Sequence, residues 1–415
     1  MVKVNFLVKE VLNSNPFYAH KLKGILTGGS FAELKEFTSR VPTTSKHEVM
    51  KDRLANPPYG TNLTYPLENY ARCHQTSGST AMAIRWLDTK ESWNSIVANW
   101  DPIFEAAGVT RADRFFFAFS FGPFLGFWSA LEAVTQHGYF CLAGGGMSSA
   151  ARLQAILDNG ITVLCCTPTY AQHLGEVAKE RKIDLSRGRV RLIVVAGEAG
   201  GSVPATRARI ERLWPGATVF DHHGMTEVGP VTYQCPAGSG VLHVIESAYL
   251  AEVISPATGQ PANPGETGEL VLTTLDRIAS PLLRYRTGDA VKSGPRTVCA
   301  CGRSELALHG GILGRSDDMV VVRGVNVYPA LVEELVRGAP EVTEYRVQLD
   351  CRGTLAELLL QIEMAAECGD PSVVSERLRQ ASHAALNLRV SVQVLPQGSL
   401  PRFEMKANRW VKLVN

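Results

Sequence analysis

Three observations predict an α/β protein with a large N-terminal domain of layered sheets and helices and a small α+β C-terminal domain. Between residues 138 and 200, apolar strand-like runs alternate with helical stretches, the pattern of a parallel sheet covered on both faces. The chain has 415 residues, more than one ordinary core accommodates, so two or three domains are expected. Finally, Gly314-Arg315-Ser316-Asp317-Asp318 leads through the apolar Met319–Val322 into a second turn on Gly324 and Asn326. Turn, short strand, turn is how a chain passes from one compact unit into another. The expected division is residues 1–314, a junction at 315–317, and residues 318–415.

Composition narrows the function classes. At 45% hydrophobic, 20% charged and a net charge of +2, the chain has the balance of a globular protein. It lacks the basic blocks or stripes that nucleic acid or an anionic membrane would require of a main partner. No apolar run is long enough to span a bilayer. Met1–Asn15 lacks an apolar core followed by a small-residue cleavage site, so a cytoplasmic protein is expected. Nine cysteines, an odd number without a leader, fit a reducing compartment with free or metal-bound thiols.

The first chemical stretch in chain order is His74-Gln75-Thr76-Ser77-Gly78-Ser79-Thr80, where small hydroxyl residues around a glycine let backbone N–H groups and hydroxyls crowd one anion. It lacks the Gly-Lys-Ser/Thr ending of a nucleoside-triphosphatase loop. Phe115–Phe121 reads as a buried strand, and the segment from Gly122 turns into a helix running through Ala133. Strands are expected at Gly138–Leu142, Ile161–Cys166 and Val190–Val195, with helices at Ser149–Asn159 and from Thr167 to Arg181. Ligands on such sheets sit at the carboxyl ends of strands, where Thr167–Tyr170 and Gly197-Glu198-Ala199-Gly200 fall. In Asp221-His222-His223-Gly224-Met225-Thr226-Glu227 the adjacent histidines point to opposite faces of a strand and so do not share one metal. Cys235, His243, Cys299 and Cys301 could form a closed tetrahedral zinc set, although Cys-x-Cys is less diagnostic than Cys-x-x-Cys. Glu266–Thr273 reads as a strand. Asp289, in the tight turn of Arg284-Tyr285-Arg286-Thr287-Gly288-Asp289, is suited to accept two hydrogen bonds from a ribose diol, with a plain Asx turn as the alternative. Beyond the junction, helices at Pro329–Val336 and Pro371–Leu386 and strands at Tyr345–Leu349, Leu358–Glu363 and Val390–Val394 suit a small α+β domain.

In this order the stretches resemble the adenylate-forming enzymes, and most closely their phenylacetate–CoA ligase branch. Asn15-Pro16-Phe17-Tyr18 and Val41-Pro42-Thr43-Thr44-Ser45-Lys46 resemble that branch's opening region. His74–Thr80 resembles the loop that holds the ATP pyrophosphate, which implies Thr76, Ser77, Gly78, Ser79 and Thr80 as nucleotide contacts. Ala81 and Met82 stand where a glycine and a lysine are usual. By position Phe121, Phe124 and Phe127 are candidates for the acyl-pocket wall. Gly197-Glu198-Ala199 resembles the motif bordering adenine and acyl group. Asp221–Pro230 resembles the motif whose aromatic residue stacks on adenine, whose threonine touches phosphate and whose glutamate binds magnesium. The resemblance therefore implies nucleotide contacts at Asp221, His222 and His223, catalytic roles for Thr226 and Glu227, magnesium on Glu227, and pocket positions at Gly197, His223, Gly224 and Met225. His223 replaces the usual tyrosine. By the same route Asp289 binds ribose, Arg303 and Arg315 contact the nucleotide, Asp317 is the hinge, and Gly324 lines the pantetheine channel. Leu400–Arg409 resembles the terminal motif with catalytic Lys406, Met405 replacing a usual glycine. Similar Cys/His positions occur in some relatives of this branch, which favours structural zinc on Cys235, His243, Cys299 and Cys301.

What the resemblance implies is a two-step reaction using ATP, Mg2+ and coenzyme A. An aryl acid of the benzoate, anthranilate or phenylacetate type becomes an acyl-adenylate, a mobile C-terminal lid turns about Asp317, and a thiol takes the acyl group. Lys406 would neutralise charge as the carboxylate attacks the α-phosphate. An amino- or hydroxybenzoate such as anthranilate, in secondary metabolism, is the narrower expectation. Two alternatives stay open: an aryl-acid adenylating enzyme that loads a carrier protein, and a zinc-stabilised binding protein with a degenerate site. Ala81, Met82 and Met405 favour the second; Glu227, Asp289 and Lys406 oppose it. A homodimer is also left open.

Overall fold

The structure, a computed structural model, describes residues 1–25, 30–76, 83–315, 320–323, 325–352, 356–365, 369–403 and 407–413. Contacts divide the chain into two compact units, Met1–Gly146 with Asp221–Gly311, and Met147–Phe220 with Ile312–Asn415. No helix among the described residues is long and apolar enough to cross a membrane.

The first unit opens on the helix Val2–Ser14, whose Val4, Leu7, Val8 and Val11 are buried at the three-and-four spacing of one helical face. Asn15 then gives the Asn-Pro-Phe-Tyr stretch a physical role. Its side chain accepts the Tyr18 N–H at 3.1 Å as the cap of helix Pro16–Lys21, with Pro16 in the first turn where no N–H is needed. Its amide also donates to Asn62 Oδ1 and Thr64 Oγ1, at 3.0 and 3.2 Å. Ser45 and Glu48 form a capping box for helix Lys46–Ala55, and the Thr44 hydroxyl donates to the Leu283 carbonyl at 2.8 Å. The hairpin Tyr70–Gln75 with Arg85–Thr89 is antiparallel, His74 opposite Trp86. Arg114–Phe117 and Phe140–Ala143 are parallel. Two antiparallel arrays complete the unit, Tyr249–Ile254, Thr267–Thr274 and Tyr285–Lys292 in one, and Thr232–Gln234, Val241–Val244 and Ala307–His309 in the other.

One expectation here needs correction. The strand foreseen at Phe115–Phe121 ends at Phe117, and the following helix starts only at Trp128. Phe121 and Gly126 have positive φ values, 51° and 40°, so the backbone leaves both the sheet and the helix between them. Pro123 has no N–H to offer either one.

The second unit carries the strand–helix alternation. Val163–Cys166 and Leu192–Val195 are parallel, and Thr218–Asp221 extends the order. The helices Ser149–Asp158, Pro168–Glu180 and Pro204–Leu213 connect them, the second capped by Thr167 accepting the Tyr170 N–H at 3.1 Å. Its C-terminal part has a four-stranded sheet in the order Ser391–Leu395, Glu357–Met364, Val342–Asp350, Trp410–Leu413. Helices Pro329–Arg337 and Pro371–Leu386 pack on it through Val332, Val336, Val374 and Leu378. Trp410–Leu413, for which no element was expected from sequence, is a strand parallel to Val342–Asp350.

Within this unit a buried ionic cluster of the C-terminal part is hydrogen-bonded to Met147–Phe220. Arg409 Nε lies 2.7 Å from Glu344 Oε1, and Arg337 Nε 2.9 Å from Glu333 Oε1. Arg409 also donates to Thr169 Oγ1 at 3.3 Å, and the Ala205 N–H donates to Glu334 at 3.0 Å. Burial would raise the Glu333 carboxyl, but the Arg337 and Arg409 charges and the Tyr345 hydroxyl outweigh it and hold it below its ordinary value of 4.5. A carboxyl held low in the folded state stabilises above its ordinary value and loses that contribution as the pH falls. Denaturant unfolding should therefore show stability declining from about pH 4.5 downward. Glu344→Ala, which strands buried guanidinium groups, should cost about 3 kcal/mol in the same measurement at neutral pH.

Candidate active site and metal centre

In the first unit Gly224–Met225 pairs with Gly229–Pro230 as a tight hairpin, so Thr226, Glu227 and Val228 form its turn. Three successive carbonyls of this turn are held from outside. Arg277 Nη1 donates to the Thr226 and Glu227 carbonyls at 3.1 and 2.6 Å, and the Tyr249 hydroxyl donates to the Val228 carbonyl at 2.7 Å. Just before the turn, the His223 N–H donates to Thr232 Oγ1 at 2.9 Å. The His223 ring reaches Asp289, Nε2 lying 3.0 Å from Oδ2, at ion-pair distance but not aligned for a hydrogen bond. Asp289 is placed by its own N–H on Thr287 Oγ1 (3.0 Å), whose hydroxyl donates to the Leu270 carbonyl (2.7 Å). The residues expected beside adenine and ribose thus stand next to each other. Asp221 donates its N–H to Gln234 Oε1 at 3.1 Å. Arg303 lies beside the cysteine loop, 3.0 Å from Glu105 and 4.8 Å over the Tyr233 ring.

His222 points the other way, into aromatic surroundings. Its ring meets Trp100 edge-on at 4.6 Å and Phe127 at 6.3 Å. Phe119 contacts Phe121, Phe124 and Phe127 at 5.2 to 5.6 Å, and Phe121 meets Trp128 at 4.8 Å. Phe127 is buried, while Phe121 and Phe124 are half-buried. His222 is 6% exposed, and its Nδ1 has no hydrogen-bond partner among the described residues. Burial, and then the proximity of His223, push its pKa down to about 3, so the ring is neutral at any ordinary pH.

The second unit places Gly197, Glu198 and Ala199 just after strand Leu192–Val195, Gly197 with φ 93°. Glu198 Oε1 accepts the Thr169 N–H at 2.8 Å, at the N-terminus of helix Pro168–Glu180 where a carboxylate is favoured. Oε2 accepts the Ala407 N–H at 2.9 Å. Arg315, also in this unit, ends the short strand Gly314–Arg315. Ser77, Gly78, Ser79, Thr80, Ala81, Met82, Asp317, Gly324, Met405 and Lys406 lie outside the described residues. Thr76 is bonded to Ile84, its N–H donating to the Ile84 carbonyl at 2.9 Å and its hydroxyl accepting the Ile84 N–H at 3.1 Å.

Cys235, His243, Cys299 and Cys301 converge in the first unit, their ligand atoms all within 4.8 Å of one another. Cys235 Sγ lies 3.6 Å from Cys299 Sγ, and Cys301 Sγ 3.4 Å from His243 Nε2. A tetrahedral metal with metal–sulfur bonds of about 2.3 Å sets sulfur–sulfur edges of about 3.8 Å, so the cluster is already near metal-binding size. His243 Nδ1 faces the Glu305 carbonyl at 3.4 Å, which leaves Nε2 for a metal. Burial lowers the His243 pKa and favours the neutral ring a metal needs. These four residues could hold a metal with no open coordination position.

Sequence reasoning missed the groups that hold the site from behind. Asp88 and Arg277 read as ordinary charges in a strand and a turn, although a lone carboxylate in Trp86-Leu87-Asp88 was a signal. Arg53, stacked on Trp86 at 4.6 Å, was also missed; its Nε and Nη1 have no partner among the described residues, and burial lowers its pKa to about 10.

Residues 66–275 match the family model of the AMP-binding enzyme, and residues 324–413 match that of the AMP-binding enzyme C-terminal domain. The phenylacetate-coenzyme A ligase of Thermus thermophilus is 32% identical over 96% of this chain and 92% of that protein. That of Escherichia coli is 29% identical over 100% of this chain and 94% of its own length. A crystal structure of 2-hydroxyisobutyryl-CoA ligase in the postadenylation state, in complex with 2-HIB-AMP, superposes with a TM-score of 0.92 at 26% identity, covering 99% of this chain and 88% of the other. The chain belongs to the AMP-binding enzyme family and has the α/β fold of the adenylate-forming enzymes. Within that class it falls in the phenylacetate–CoA ligase-like branch, the AMP-forming acid–CoA ligases.

Proposed function

We propose that this protein activates an aromatic carboxylic acid with ATP and magnesium and passes the acyl group to coenzyme A. The observation that carries the aromatic preference is the wall around Phe119, Phe121, Phe124 and Phe127 with His222 at its edge. A carboxylate is a poor electrophile. In the first step its oxygen attacks the α-phosphorus, the bond to the β-phosphate oxygen breaks, and pyrophosphate leaves. Glu227 would bind the magnesium ion that offsets charge on the phosphates, and Thr226 would donate to a phosphate oxygen. Asp289 would accept from the ribose hydroxyls, while His223 takes the place of the stacking tyrosine. Lys406 and the loop at Thr76–Thr80 complete the nucleotide contacts by resemblance, with Glu198 holding the backbone just after Lys406. The C-terminal lid, residues 318–415, then turns about Asp317. A CoA thiol reaches the carbonyl past Gly324 and gives up its proton, the C–S bond forms, and AMP leaves.

His222 supports a narrower reading. A neutral imidazole nitrogen without a partner, set among aromatic rings, suits an acid whose ring carries an amino or hydroxyl donor, such as anthranilate. The cysteine cluster is read as a structural zinc site. Three thiolates and one imidazole fit zinc, and a closed set supplies folding energy rather than chemistry.

Pyrophosphate release with MgATP across a panel of aryl acids, with and without CoA, tests the function. Release with one acid and its CoA thioester in the presence of CoA is expected. Adenylate without thioester would transfer the second step to a carrier protein, and no release with any acid would overturn the reading. His222→Leu should cut kcat/KM for an amino- or hydroxy-substituted acid about tenfold and leave the unsubstituted acid nearly unchanged, the size expected for one buried hydrogen bond. Metal analysis after exhaustive dialysis should give one zinc per chain, lost in Cys299→Ser/Cys301→Ser together with thermal stability. A metal-free parent with full stability would remove the zinc.

A further inference from the structure

We propose that the buried Asp88–Arg277 pair is a positioning device that sets the Thr226–Glu227 turn for the magnesium–nucleotide complex; the role rests on the function proposed above. Both side chains are out of water, Asp88 0% and Arg277 2% exposed. The pairing is bidentate, Nε to Oδ1 and Nη2 to Oδ2, each at 2.7 Å. A buried ion pair retained only to fill space is replaceable by apolar residues of the same volume. This one has a further connection, because the remaining nitrogen, Nη1, donates to the Thr226 and Glu227 carbonyls. Asp88 fixes the plane of the guanidinium, and that plane aims Nη1 at the turn.

The pair is anchored on both sides. Asp88 sits in the strand Arg85–Thr89. The segment after Arg277 is stitched to the same region, the Ala279 N–H donating to Ser92 Oγ at 3.1 Å and the Ser280 hydroxyl to the Leu87 carbonyl at 2.7 Å. On the other flank of the turn, Tyr249 holds the Val228 carbonyl and accepts from Asn99 Nδ2 at 3.2 Å. With three successive carbonyls drawn outward, the backbone carrying the Thr226 and Glu227 side chains is set without using those side chains. They stay available for phosphate and metal. A lysine could not replace Arg277, since a point charge on a flexible stem lacks the planar fork that reaches carboxylate and carbonyls together.

The test uses the full chain and three proteins: the parent, Asp88→Leu/Arg277→Met, which removes the pair but keeps the packing, and Arg277→Lys, which keeps the charge but loses the fork. Calorimetric MgATP binding without acid, steady-state kinetics and thermal unfolding are measured on each. In both variants the MgATP Kd and KM, and the magnesium concentration for half-maximal rate, should rise about tenfold, while the KM for the acid stays within about twofold. The double variant should melt within a few degrees of the parent. Unchanged MgATP affinity in the double variant would overturn the inference. So would a uniform loss in kcat and in both KM values that tracks a fall in melting temperature in both variants, the mark of a merely structural pair. A parent that binds no MgATP would instead bring down the functional reading on which the inference rests.

Discussion

A buried guanidinium must find acceptors for the N–H groups it carries, and at Arg277 that requirement gathers the elements of the proposed nucleotide site. Arg277 draws together the strand bearing Asp88, the turn bearing Thr226 and Glu227, and its own segment, which runs on to Asp289. These stretches are far apart in the sequence. Each carries, follows or leads into one of the motifs that the resemblance assigns to phosphate, magnesium or ribose. Trp86 lies beneath the guanidinium at 5.8 Å and also takes Arg53 on its ring. The low-dielectric setting makes the arrangement intolerant of partial satisfaction, which is why one bidentate pair can fix the direction of a whole turn.

The two histidines of Asp221–Pro230 face different surroundings, although both lie between strands Thr218–Asp221 and Gly224–Met225 rather than within one. His223 turns to Asp289 and the nucleotide side, while His222 turns to Trp100 and Phe127. Under the proposed function, one short stretch would thereby border both halves of an acyl-adenylate. The cysteine cluster does something different in the same unit. It brings the hairpin around Cys235 and His243 to the loop of Cys299 and Cys301, and a metal held there would cross-link the two.

In the second unit, Glu198 uses both carboxylate oxygens on backbone donors, one at a helix N-terminus and one at Ala407, the residue after Lys406. The Glu333, Arg337, Glu344 and Arg409 ion pairs lie within the C-terminal part, and the cluster meets Met147–Phe220 through hydrogen bonds, Arg409 donating to Thr169 Oγ1 and the Thr206 hydroxyl to Glu333. Contacts of this kind are directional and can be exchanged whole for others, unlike an interdigitated apolar core. That suits a part of the molecule proposed to turn between two reactions.

The sequence by itself determined the fold class, the order of the motifs and most elements of the C-terminal domain, because periodicity, caps and turn residues act over a few positions. Helix Pro371–Leu386 and strands Val342–Asp350 and Glu357–Met364 stand where local pattern put them, extended by a few residues at the strand ends. It also selected the three cysteines and the histidine that converge. Local pattern misjudged Ala118–Phe127, where a strand was expected to Phe121 and a turn into a helix from Gly122, but backbone conformation at Phe121 and Gly126 imposed a loop. It offered no element at Trp410–Leu413, since a strand at a sheet edge needs a distant partner to be recognised. Only the tertiary structure decided which charges are buried and what they hold. Asp88 and Arg277 are ordinary letters in their own segments, and the role proposed for them rests on a fork of hydrogen bonds across 189 positions of chain.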